Sequence, residues 1–146
     1  MHLSRTDDYA VRALVDVAAH PDSPIREIAG RTDIPQSHLA KVIQVLVQAG
    51  MVETTRGRNG GVRLAREPHA ISLREVLETM QGPLGMCRCP RQPDRCPRNP
   101  TCPVYRVWVE LQEGIASKLE QVRVSDLLDN CRTSRGGDPP PPHRGE

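Results

Sequence analysis

Cys87, Cys89, Cys96 and Cys102 place four of the five cysteines of this chain in one short stretch, rich in proline and arginine, that cannot form a core element of its own. Clustered thiols bind soft metals or exchange disulfides. The spacing Cys89-x6-Cys96-x5-Cys102 lacks the C-x2-C knuckles of structural zinc sites, and long loops between thiolates suit wrapping a larger iron–sulfur core. A zinc site using all four thiolates, a thiol–disulfide switch and chance clustering are the competing readings. Chance is the poorest of them for so dense a group. Cys131 stands apart, near the chain's C-terminal end, and is not read as a ligand.

Two further sets of side chains have types and spacing suited to chemistry. Gln36, Ser37, His38 and Lys41 fall at the start of a helical pattern, where they can reach major-groove base edges and phosphates. Arg56, Arg58 and Asn59 lie in a glycine-rich turn whose arginines suit a minor-groove or phosphate contact. Residues 56 to 66 also hold Arg63 and Arg66 and no acidic residue, whereas residues 67 to 81 lean acidic. The formal net charge is only +2, so a local basic element fits a phosphate-contacting surface better than general stickiness. The bland alternative for both sets is a solvated polar face. Asp7 and Asp8 call for similar care: capping and helix-dipole stabilisation account for Asp7 and suffice for Asp8 as well.

The elements that must position these groups are mostly helical. Ser4 with Asp7 has the form of a capping box, and Ala10, Leu14, Val17 and Ala18 recur at helical spacing, which predicts a first helix over residues 5–20. Pro24 opens a short second helix ending near Gly30. The third begins after Pro35, where Leu39, Val42, Ile43, Leu46 and Val47 form an apolar stripe and Ser37, Lys41, Gln44 and Gln48 lie on the opposite face. A short helix, a brief turn and a longer helix describe a helix-turn-helix. Met51 to Thr55 and Val62 to Leu64 then read as a β-hairpin across the Gly57–Gly61 turn, with the Asn59–Gly60 pair supplying positive φ. A hairpin directly after a recognition helix is a wing.

Ile71, Leu73, Val76, Leu77 and Met80 predict a fourth helix, entered at Ser72 and ended by Gly82. After Pro103, the pattern Val104, Trp108, Leu111, Ile115 and Val122 predicts one long amphipathic helix whose stripe must be covered, a partner chain being the expected cover. Ser125 to Leu128 add a last short turn. The expected organisation is a winged-helix domain over 1–82, a cysteine segment over 83–103, a dimerisation helix over 104–130 and a disordered tail over 131–146. Trp108, Tyr9 and Tyr105 are the only aromatic residues besides histidine, so the core must come from aliphatic side chains, which favours a mainly α fold. An acidic N-terminal start and the lack of an apolar run near the roughly 18 residues of a membrane span point to a cytoplasmic protein.

Taken together, these motifs resemble the Rrf-type winged-helix regulators, the family that includes IscR, NsrR and RirA. The likeness rests on Leu3-Ser4 with Asp8 to Leu14, on His38 to Ile43, on Ala49 to Val52, on Arg56 to Leu64, and on the cysteine loop before a long helix. The resemblance implies a homodimeric transcription factor whose affinity for double-stranded operator DNA depends on the state of a bound iron–sulfur cluster. The cluster is expected to be 4Fe-4S, with 2Fe-2S the alternative. Family spacing matches Cys96 and Cys102, and Cys89 rather than Cys87 fits as first ligand. NsrR-type members take a fourth ligand from an aspartate early in the first helix, where Asp8 stands here; IscR-type members use a histidine after the third cysteine, and none occurs between Cys102 and His143.

The resemblance further implies a repressor that senses nitric oxide, with iron or redox status as the alternative signal. A zinc-stabilised DNA-binding protein and an iron–sulfur electron carrier are the rivals from other classes. No nucleophile with a base and no phosphate-binding glycine loop is evident, so no enzymatic activity is expected.

Overall fold

The first helix starts from a reciprocal cap. The Asp7 amide donates to the Ser4 hydroxyl at 3.2 Å, while Asp7 Oδ2 accepts from the Ser4 amide at 2.7 Å and from its hydroxyl at 2.8 Å. This capping box opens α1 (Arg5–Ala19), which buries Ala10, Ala13, Leu14 and Val17. The structure is a computed structural model that describes residues 3–57, 60–85 and 101–134. Cys87, Cys89, Cys96, Arg58 and Asn59 lie outside the described residues, as does the tail beyond residue 134.

The helix-turn-helix comes next. Helix α2 (Ile25–Thr32) continues past Gly30 and ends at Asp33, whose left-handed backbone (φ 55°, ψ 40°) turns the chain. Aspartate tolerates that region better than most residues. The Thr32 hydroxyl donates to the Ile28 carbonyl at 2.6 Å, which secures the last turn. Buried Ile34 then plugs the corner. Helix α3 (Gln36–Gln48) buries Leu39, Val42, Ile43 and Leu46, the predicted stripe, whereas Val47 stays exposed at the stripe's edge.

Strands β1 (Val52–Thr54) and β2 (Val62–Leu64) pair antiparallel, with Val52 opposite Leu64, Glu53 opposite Arg63 and Thr54 opposite Val62. Among the described residues of the connection, positive φ falls at Gly57 (118°), while Asn59, expected to supply it together with Gly60, lies outside them. Within the seven-residue connection the Gly60 amide donates to the Gly57 carbonyl at 3.0 Å, the hydrogen bond of a four-residue turn. The base of the wing is tied to the α1–α2 corner: the Val62 amide donates to the Ser23 carbonyl at 2.9 Å. A Cβ at Gly61 would collide with the Asp22 carbonyl, so this approach requires glycine.

A single 3-10 turn (Pro68–Ala70) leads to α4 (Leu73–Gln81), capped by the Ser72 hydroxyl, which accepts from the Glu75 amide at 3.1 Å, and ended at Gly82 (φ 81°). Residues 104–130 are two helices, not the single one expected: α5 (Tyr105–Gln121) and α6 (Val124–Ser134). The predicted last turn at Ser125–Leu128 is part of α6, and the first residues assigned to the tail are helical as well. Backbone pairing explains the break. The Leu73 amide donates to the Val122 carbonyl at 2.8 Å and the Val124 amide to the Ile71 carbonyl at 3.1 Å, a short antiparallel stitch that extended Val122 and Arg123 could not make inside a helix. The Arg123 amide donates to Asp126 Oδ2 at 2.8 Å, restarting the helix. Val124 enters the same core as α1, α3, α4 and the wing strands. Among the described residues no helix is long and apolar enough to cross a membrane.

Candidate nucleic-acid interface and metal centre

The first turns of α3 present Gln36, Ser37, His38 and Lys41, all exposed, while the four apolar residues behind them are buried. That arrangement fixes the helix from within and leaves its polar face free. Pro35 precedes the helix and supplies no side-chain cap, so the amides of Gln36 and Ser37 keep an unmet demand for an acceptor, one that a phosphate oxygen would satisfy. The four predicted residues are therefore brought together on one surface.

The wing is less basic than its sequence. Arg63 Nε donates to Glu53 Oε1 at 2.6 Å across the strands, and Arg66 is held by Glu75 at 2.6 Å. The hydrogen bond from Arg63 to Glu53 raises the Arg63 pKa above its usual value. Two of the four arginines of that stretch are thus matched by carboxylates from outside it. Arg56 is exposed and makes no ion pair among the described residues, so it is the described wing cation available for phosphate. Its predicted companions Arg58 and Asn59 lie outside them.

Of the expected metal ligands, Asp8 and Cys102 are described. Cys102 is a free, half-buried thiol at the entry to α5, its carbonyl accepting from the Tyr105 amide at 3.3 Å. Asp8 is half-exposed and pairs with Arg12 at 2.7 Å, one turn along α1. An exposed i,i+4 pair of this kind contributes about 0.5 kcal/mol, so freeing the Asp8 carboxylate from Arg12 would cost little. The chemistry of the donor set expected from the sequence, Cys89, Cys96 and Cys102 with the Asp8 carboxylate, would fit an iron–sulfur cluster with one hard, exchangeable ligand. Among the described residues alone, no three His, Cys, Asp or Glu side chains gather into a metal site.

Two features of the site escaped sequence reasoning. Asp16 of α1, with its side chain largely buried, accepts from Arg31 of α2 through Nε at 2.9 and 3.1 Å and Nη2 at 2.7 Å. This bidentate clamp raises the Arg31 pKa and locks the first helix of the helix-turn-helix to α1. Tyr9 of α1 meets His38 of α3 edge-on, ring centroids 6.4 Å apart. Both pairings are non-local and carry no spacing signal, whereas the Asp8–Arg12 pair is legible from its four-residue interval.

Known proteins with this arrangement are transcriptional regulators. Residues 3–130 match the family model for Rrf2, described as iron-dependent transcriptional regulator. The HTH-type transcriptional regulator NsrR of Shouchella clausii is 36% identical over 134 residues, covering 89% of this chain and 90% of the relative. The Bacillus subtilis protein of the same name is 34% identical over 134 residues, with 89% and 92% covered. Among solved structures, T. potens IscR superposes with a TM-score of 0.74 at 25% identity, covering 95% of this chain and 94% of that one. CymR, the global cysteine regulator of B. subtilis, shares the fold with a TM-score of 0.70 at 21% identity, over 89% of this chain and 98% of its own.

Proposed function

The chain belongs to the Rrf2 family of transcriptional regulators, and from that premise we propose that it is a cytoplasmic, homodimeric repressor whose operator affinity is set by an iron–sulfur cluster and released by nitric oxide. The exposed first turns of α3, backed by a fully buried stripe, carry the DNA half of this reading. Gln36, Ser37 and His38 meet base edges and phosphates, Lys41 meets phosphate, and the wing adds Arg56 with Arg58 and Asn59. The cluster half rests on the thiol spacing and on relatives named NsrR.

Cys89, Cys96 and Cys102 hold the cluster in this reading, with Asp8 as fourth ligand, and a four-iron centre suits that set. When bound, the cluster supplies an iron site open to nitric oxide. The chain's part would be to offer that iron a carboxylate that leaves easily, since Arg12 stands within ion-pair distance of Asp8 as its alternative partner. The division of labour runs along the chain, with the body to residue 82 for DNA, the segment 83–103 for the cluster and α5 with α6 for the second subunit. Val104, Val107, Trp108 and Leu111 at the start of α5 are 43, 47, 37 and 45% exposed, a contiguous apolar face that a partner subunit covers.

The test is anaerobic purification followed by absorption and intact-protein mass spectrometry, then a mobility shift on operator DNA with nitric oxide or an iron chelator added. A brown protein of cluster mass that leaves DNA on stoichiometric nitric oxide, and slowly with chelator, is the expected result. A colourless protein with stoichiometric zinc ends the cluster reading, and faster release by chelator makes iron the signal.

A further inference from the structure

We propose that Tyr9 is a positioning residue for DNA recognition, holding the His38 imidazole in the orientation from which it reads a base edge. The inference rests on the reading of α3 as the recognition helix. His38 is the third residue of α3, exposed, on a turn whose Pro35 cap offers it no side-chain partner. An exposed ring at such a place ordinarily samples several rotamers. Here the Tyr9 ring lies at a centroid distance of 6.4 Å and an interplanar angle of 67°, the edge-to-face geometry that aromatic quadrupoles favour.

Tyr9 is itself restrained, since it is half-buried and packs against the hydrophobic core. A cavity of about 120 Å³ lies beside the pair, lined by Thr6, Lys41, Val42, Val45 and Met80 as well as the two rings. Space on that side leaves His38 without a tightly packed neighbour there, so the Tyr9 ring is the restraint. Orientation matters because a neutral imidazole has one donor and one acceptor, on different sides of the ring. Turning the ring changes which major-groove pattern it matches. A shape-fixing contact between α1 and α3 thereby acts on sequence selectivity without touching DNA.

The experiment uses the full-length, anaerobically isolated protein and two duplexes: one recovered from a random pool by selection on wild type, and a scrambled control. Affinities are measured by fluorescence anisotropy for Tyr9→Phe, Tyr9→Leu, His38→Ala and the double variant Tyr9→Leu/His38→Ala. Tyr9→Leu should lower the ratio of selected to scrambled affinity by roughly three- to tenfold, the equivalent of one aromatic pair, and leave scrambled binding and its salt slope unchanged. Tyr9→Phe should restore the ratio. In the His38→Ala background, Tyr9→Leu should cost nothing further. The His38 ring-proton resonances should shift in Tyr9→Leu and not in Tyr9→Phe, a readout that general packing does not supply.

Equal losses from Tyr9→Leu with and without His38, or an unchanged ratio, overturn the positioning role while the regulator reading stands. A wild-type ratio in His38→Ala removes the base contact and the proposal with it. Failure of wild type to enrich any sequence from the pool is instead a failure of the regulator reading. Should Tyr9→Leu not fold, as judged by its unfolding midpoint, Tyr9→Met replaces it with the same two outcomes.

Discussion

Asp7 and Asp8 are chemically identical neighbours, and α1 separates them by turning one carboxylate into the cap and the other to solvent. Asp7 is buried and accepts from both the amide and the hydroxyl of Ser4. Asp7→Ala should therefore lower stability by about 1–3 kcal/mol, read from the urea midpoint, because two donors lose their acceptor. Asp8→Ala should change stability by less than about 0.5 kcal/mol. Its effect belongs to the cluster: a retained brown colour with an altered spectrum and an altered rate of reaction with nitric oxide, and identity with wild type on both counts makes Asp8 a helix-start residue only. Cys96→Ala and Cys102→Ala should abolish the colour and Cys131→Ala should not. At this scale the sequence was informative wherever the interaction is local, as with the Ser4–Asp7 box. It misled on Arg63 and Arg66, because Glu53 and Glu75 reach them across a strand pair and from a later helix. Lys41→Ala should then reduce the slope of log affinity against log salt by about 1, whereas Arg63→Ala should leave it alone.

Among the elements, α1, α3 and α4 keep to their periodic stripes because each is long enough for burial on one face to dominate. The short joints were less legible. Helix α2 ends where Asp33, not Gly30, adopts the left-handed conformation, a choice made by Ile34 packing into the corner. The α5–α6 break has no local breaker such as proline or glycine; it exists because residues 71–73 present unpaired backbone groups to Val122 and Val124. No periodicity records that demand. The wing shows the same dependence on distant backbone. Gly61→Ala should destabilise by about 1–3 kcal/mol through its clash with the Asp22 carbonyl, and weaken operator binding more than stability alone explains, because the wing leaves its anchor. Matched urea curves and anisotropy titrations separate the two effects, and a Gly61→Ala protein with a wild-type midpoint would show that the corner yields.

For the whole molecule the apolar face of α5 sets the main expectation. Leu111→Asp combined with Trp108→Asp should give a folded monomer by sedimentation velocity, with operator affinity reduced about a hundredfold or more as the two half-sites lose their linkage. A dimer of unchanged stability would place the interface elsewhere. The α5–α6 stitch adds a mechanical consequence. Helix α5 has 17 residues, about 25 Å at 1.5 Å per residue. It is fastened to the DNA-binding body at one end by the pairing of Val122 and Val124 with residues 71–73, and Cys102 stands just before the other end. A tilt of about 10° about the stitch would swing the Cys102 end by ~4 Å, given that length. A small rotation where α4 begins would thus be magnified at Cys102. Displacement at Cys102 would be returned to the body as torque on the start of α4.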